Sequence, residues 1–120
     1  MGVAMDAQAK ETFIRAVSTR NGQDSAGRRI LWSRHAVTEL AEEGWARRPV
    51  ESALCCATVI EDYPAVHRPL PDCLVLGWLP EGVPFHAVVA VDTAKERLLV
   101  VTVYQPATEE WENDWRTRRM

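Results

Sequence analysis

The stretch PFHAVVAVDTAKERLLVVTVYQP, residues 84–106, decides the fold. Two runs dense in Val, Leu and Thr flank a short polar segment, Asp92, Thr93, Ala94, Lys95 and Glu96, which is the pattern of a β-hairpin. Both runs are apolar at odd and even positions alike (Val88 to Val91, then Leu98 to Val101). Their place is therefore the middle of a sheet covered on both faces. The remainder of the chain has to extend that hairpin or cover it.

Working outward, Cys73 to Leu79 (CLVLGWL) forms the preceding strand, with Gly77 marking a bulge or a close approach and Pro80-Glu81-Gly82 a turn. Thr58 to Asp62 forms another strand, closed by Tyr63-Pro64. A Pro-rich loop through Pro69 and Pro71 follows and carries a solvent-facing His67. Short links make these strands an antiparallel meander, and Arg28 to Trp32 (RRILW) adds a further short strand. A helix over Asp6 to Thr19 is capped by Asp6, shares Ala9, Phe13, Ala16 and Val17 on one face, and stops at Asn21-Gly22 before a polar loop, Gln23 to Gly27. Ser33 caps a second helix with the stripe Ala36, Val37, Leu40 and Ala41. Gly44 takes the left-handed end position, and Trp45 folds back on Leu40. A third helix opens at Pro49 and buries Val50, Ala53, Leu54 and Ala57. The expectation is an α+β fold, an antiparallel four- to five-stranded sheet with helices packed on one side. It forms a single domain over 1–120, in which a helix and loop (1–27) precede the core (28–120).

A chain of 120 residues can bury a core without staples. No run approaches the roughly 18 apolar residues of a spanning helix, and the start MGVAMDAQAK lacks the regions of a signal peptide, so the expected setting is cytoplasmic, without a membrane partner. Cys55, Cys56 and Cys73 give neither a disulfide framework nor a metal-ligand spacing and read as small core residues; no metal and no cofactor is implied. The net charge of −3 hides a division: 8 basic against 6 acidic residues over 1–50, 3 against 11 over 51–114, and 3 against none over 115–120. An acidic middle argues against a general nucleic-acid coat and leaves room only for a local basic cleft.

The pieces SRHA (33–36), VIEDYP (59–64), PDCLVLG (71–77), PFHAVVAVD (84–92), VTVYQP (101–106) and WENDWRTRR (111–119) together resemble a widespread family of small bacterial proteins known as a domain of unknown function. The resemblance spans Ile30 to Arg119 and leaves the first helix outside. That family is in turn similar to the RelE and MqsR type of toxin. The resemblance implies a RelE-like core whose sheet carries a ribonuclease site, and an antitoxin protein as partner, sometimes of the zinc-finger MqsA kind. This chain departs from the family in carrying Glu39 and Glu43 on the helix after the His-Ala pair, where many members are basic.

RNA cleavage without metal needs a base for the 2′-hydroxyl, an acid for the leaving oxygen and fixed positive charge on the phosphate. His35 lies in the first turn of a helix beside Arg34, where free N–H groups favour an anion; the structural alternative is a His that locks helix to sheet. His86 opens a strand and faces either Val103 or Tyr104, depending on a register that a one-residue slip reverses. Arg116, Arg118 and Arg119 alternate with Trp115 and Thr117 and suit a phosphate with a stacked base. The neighbouring Glu109, Glu110, Glu112 and Asp114 offer the competing outcome, a short terminal helix with paired charges and packed tryptophans. Two functions are expected from these residues. The first is a toxin-like, metal-independent endoribonuclease, with His35, His86 and Tyr104 managing protons and Arg34, Arg116, Arg118 and Arg119 holding RNA phosphate. The second is a non-catalytic protein-interaction domain, which the acidic middle and the five tryptophans fit.

Overall fold

The computed structural model describes residues 5–23, 28–63 and 70–120. The expectations for the polar loop at 24–27 and for the Pro-rich loop with His67 lie outside them. Three helices, α1 (Ala7–Gln23), α2 (Arg34–Glu43) and α3 (Arg47–Ala53), accompany five strands, β1 (Ile30–Trp32), β2 (Thr58–Tyr63), β3 (Asp72–Leu79), β4 (Val83–Asp92) and β5 (Arg97–Tyr104). The spatial order is β1-β5-β4-β3-β2. β2 to β5 form the expected antiparallel meander, but β1 joins β5 in parallel, Ile30 opposite Leu98 and Trp32 opposite Val100, so the sheet is mixed and not purely antiparallel. The reason is topological. β1 is separated from β5 by the helix pair and the strands β2 to β4, so the rule that short links give antiparallel neighbours does not reach it.

β4 is the central strand and is buried along nearly its whole length, as its doubly apolar pattern requires. Phe85, Ala87, Val89 and Val91 meet Cys73, Val75, Leu98, Val100 and Val103 in one core with Ile14 and Val17 of α1, Ala36 and Leu40 of α2, and Val50 and Leu54 of α3. Gly77 sits opposite Phe85 in regular pairing, and a Cβ there would overlap the Phe85 ring, so it is a close approach and not a bulge. The bulge lies in β5. Val89 pairs with Val100 but Val88 with Thr102, leaving Val101 extra. Without that residue His86 would face Val103; with it, His86 faces Tyr104, and Val103 turns into the helix-side core.

The helices also finish the sheet edges. α2 begins at the Ser33 cap, whose side chain accepts from the Ala36 N–H at 3.0 Å, and ends at Gly44 (φ 75°), with the Trp45 N–H donating back to Leu40. Beyond the reach of the short β1, the Val103 N–H donates to Glu39 and the Gln105 N–H to Glu43, each at 2.9 Å. These carboxylates replace a missing strand neighbour, which gives Glu39 and Glu43 a structural task. On the far edge the Val59 N–H donates to Glu11, Arg15 donates to the Ala57 carbonyl, and Lys10 donates to the carbonyls of Tyr63 and Asp72 and to the Asp62 carboxylate.

Three local expectations are corrected. α1 continues through Asn21 to Gln23, because the Asn21 side chain accepts from the Arg29 N–H at 2.9 Å and joins the helix end to the approach to β1. Its buried positions are Lys10, Ile14, Val17 and Ser18, while Ala16 is exposed; Lys10 is buried because three oxygens receive its ammonium. Of the cysteines only Cys73 is in the core. Cys55 is half-buried and Cys56 exposed, since the 3-10 turn Leu54–Cys56 points Leu54 inward and them outward.

Candidate functional site

The segment after β5 returns across the sheet face opposite the helices. It is not the expected terminal helix. Asn113-Asp114 forms a turn in which the Asp114 carboxylate accepts from the N–H groups of Arg116 and Thr117, each at 3.0 Å, and from the Thr117 hydroxyl at 2.7 Å. A small hairpin closes around it. The Glu112 N–H donates to Thr117 at 2.8 Å and the Arg119 N–H to Glu110 at 2.9 Å, with Trp111 bridged to Arg118. Trp111 is almost fully buried, and its ring meets that of His86 edge-on, with centroids 4.4 Å apart and planes at 88°.

His86 is the centre of what the hairpin covers. It is 0% exposed, its ring lies 5.7 Å from that of Tyr104, and its Nε2 is 2.6 Å from the Trp115 carbonyl oxygen. A carbonyl only accepts, so Nε2 carries the proton and Nδ1 is a bare lone pair; it meets no donor among the described residues. Trp115 holds its carbonyl there with a left-handed backbone, φ 61°, unusual for a bulky residue. Burial holds the His86 imidazole below its ordinary pKa, and it is neutral at neutral pH.

Around this ring stand three groups that the sequence-based candidates did not include: Glu61, Tyr63 and Trp111. Arg118 stacks 4.6 Å over the Trp111 ring and forks onto the Glu61 carboxylate, at 2.5 Å from Nε and 3.0 Å from its second nitrogen. The Tyr63 hydroxyl donates to Glu61 at 2.9 Å. The guanidinium holds Glu61 below the usual carboxylate range and is itself raised by it, while burial pushes the phenols of Tyr63 and Tyr104 up. At neutral pH the cluster therefore contains one ion pair, two protonated phenols and one neutral imidazole. The signal for Glu61 and Tyr63 was available in VIEDYP: residues two apart on a strand share a face.

The other candidate residues do not join this cluster. His35 is 71% exposed on α2, with its Nε2 3.4 Å from Glu39, the carboxylate that completes the edge of β5. Arg34 and Arg116 are exposed, and Arg119 donates to the Thr108 carbonyl at 2.6 Å and pairs with Glu112 at 3.3 Å, holding the hairpin to itself. His86, Tyr104 and Arg118 are thus brought together, while His35, Arg34, Arg116 and Arg119 lie elsewhere. Among the described residues no group of three or more His, Cys, Asp and Glu side chains is placed to hold a metal ion, and no helix is long and apolar enough to cross a membrane.

A family model for a domain of unknown function, DUF4258, matches residues 32–105. The chain belongs to that family. No match was found among curated proteins or among solved structures. The DUF4258 span holds Glu61, Tyr63, His86 and Tyr104, whereas Trp111, Trp115 and Arg118, which close over them, come from the segment beyond it. The cluster is therefore a family-core sheet face sealed by a terminal hairpin.

Proposed function

We propose that this DUF4258 domain acts by binding a protein partner and not by turning over a substrate. One observation carries the reading: the groups that RNA cleavage would use are engaged by partners inside the fold. His86 gives its proton to the Trp115 carbonyl under the Trp111 ring, and Arg118 commits its fork to Glu61. A base without access and a cation already neutralised contribute little to phosphoryl chemistry. Trp78, 49% exposed at the end of β3, offers the kind of aromatic anchor that interfaces favour. The test is purification of the tagged chain from its own cells, beside Trp78→Ala as control. The expected result is one stoichiometric protein, held by the wild type and lost by the variant; equal retention by both would overturn the assignment of Trp78.

A second reading is favoured by the convergence of His86, Tyr104 and Arg118 with Glu61 and Tyr63 on one sheet face. It is the RelE-like, metal-independent endoribonuclease of a toxin-antitoxin pair. In that case Glu61 and His86 would exchange protons with RNA, Arg118 would hold phosphate, and an antitoxin would cover the face once the hairpin moved aside. Incubating the purified chain with RNA at low salt in the presence of a chelator separates the two. The binding reading expects intact RNA. Cleavage that disappears in both His86→Ala and Tyr104→Phe, with the fold retained, would establish the second reading in its place.

A further inference from the structure

Cys55 and Cys56 form the outer side of the turn that ends α3, and neither the sheet edges nor the aromatic cluster uses them. Their sulfurs lie 3.4 Å apart, one thiol donating to the other. The turn itself is held firmly. Leu54 and Ala57 on either side are buried, the Ala57 N–H donates to the Leu54 carbonyl at 3.3 Å, and Arg15 of α1 donates to the Ala57 carbonyl at 2.9 Å. Two thiols at the surface, side by side on a fixed backbone, are a preorganised pair.

We propose that Cys55 and Cys56 are a bidentate site for a trivalent thiophile, an arsenic(III) or antimony(III) hydroxide or its organic derivative. The sulfur spacing selects this class. With bonds of about 2.3 Å from sulfur to a single soft atom, a separation of 3.4 Å corresponds to an angle of roughly 95°, that of a pyramidal trivalent atom. A linear two-coordinate ion would need the sulfurs about 4.6 Å apart at the same bond length. A tetrahedral ion would need two further donors, and among the described residues no group of three or more ligating side chains supplies them. A direct bond between the sulfurs is the poorer product. Adjacent Cα atoms stand about 3.8 Å apart, below the roughly 4.4 Å at which ordinary disulfides begin, so that bond would be strained and readily reduced.

The capture step balances without an oxidant. Each thiol passes its proton to one hydroxide on the trivalent atom, two X–O bonds break, two S–X bonds form, and two waters leave; the oxidation state is unchanged. The hydrogen bond that the Cys55 thiol gives to Cys56, together with burial, raises the Cys55 thiol, so Cys55 enters the step protonated, while Arg15 nearby favours the departing proton. Cys73 is no competitor: burial pushes its thiol up to about 12 and no surface reaches it.

Phenylarsonous acid titrated into the reduced full chain, followed by intact mass and by mapping of the adduct after proteolysis, tests the site. The expected product is one arsenic per chain, on the peptide carrying Cys55 and Cys56, that survives excess glutathione. Cys55→Ser and Cys56→Ser should each weaken retention by about 10²–10⁴-fold, the gain that a second attachment within one molecule provides. Cys73→Ser should leave it unchanged; should that variant not fold, the peptide map of the wild type decides the same point. Glutathione stripping the wild type as easily as the single-cysteine variants, or arsenic mapping to Cys73, would overturn the assignment.

Discussion

Along β4, Phe85, Ala87, Val89 and Val91 point into the helix-covered core, whereas His86, one residue out of phase, points under the terminal hairpin. The first face is closed by aliphatic packing from three helices. The second is closed by an edge-on Trp111, an arginine fork on Glu61 and one hydrogen bond from an imidazole. The contrast teaches where the molecule can respond to its surroundings. Apolar burial holds no group to titrate and no charge to screen, while a neutral buried imidazole titrates and a half-exposed ion pair is screened by salt.

Substitutions can break this contrast, the strongest on the helix side. Phe85→Ala should cost about 3–5 kcal/mol in urea unfolding, because it removes a fully buried ring and exposes the gap it shares with Gly77. A loss below about 1 kcal/mol would mean that the helix face is not the main store of stability. At the edge between the faces, Glu39→Ala should cost about 1–3 kcal/mol by leaving the Val103 N–H without its acceptor. Thermal unfolding checks it, and Glu39→Gln, which keeps an acceptor oxygen, should recover most of the loss.

On the hairpin side the expected signature is a pH dependence. His86 is held below 6.5 in the fold and returns toward that value when unfolded. Between its folded and unfolded values the unfolded chain binds the extra proton, so this contribution is complete above pH 6.5 and is lost as pH falls from there through the folded value. The slope should approach about 1.4 kcal/mol per pH unit within that window and flatten in His86→Gln. Glu61, lowered by Arg118, adds a loss of the same sign further into acid. The smallest effect belongs to Arg118→Gln, under about 1 kcal/mol at neutral pH, because the guanidinium is more than half exposed and the pair is screened. A larger loss, insensitive to added salt, would show that the fork is far more protected than its exposure indicates.

The hairpin of β4 and β5, the meander, the Ser33 cap and the Gly44 end with Trp45 behind it were legible because each rests on a local pattern: a doubly apolar run, short links, a capping side chain, a left-handed glycine. The parallel seating of β1 was not, since it depends on what the whole chain does between Trp32 and Arg97. The bulge at Val101 left no mark, because one more Val in a run of Leu and Val looks like regular strand, and that single residue decides whether His86 meets Tyr104. The site was half legible for the same reason. His86, Tyr104 and Arg118 carried recognisable side chains. Glu61 and Tyr63 stood in a strand whose acid and phenol gave no hint of Arg118 arriving from 57 residues away. Glu39 and Glu43 of α2 read as lost positive charge and proved to be acceptors for a strand edge.

The state of the His86 ring decides between a sealed face and a working one. Nitrogen-15 spectra of the imidazole in the full chain, taken from pH 7.5 down to 5.5 with and without an RNA oligonucleotide, should show one neutral tautomer protonated at Nε2. It should shift little above the depressed folded value and be unmoved by RNA. An imidazole that titrates near its ordinary value, or that changes tautomer when RNA is added, would contradict a closed face and return His86 to the role of proton carrier.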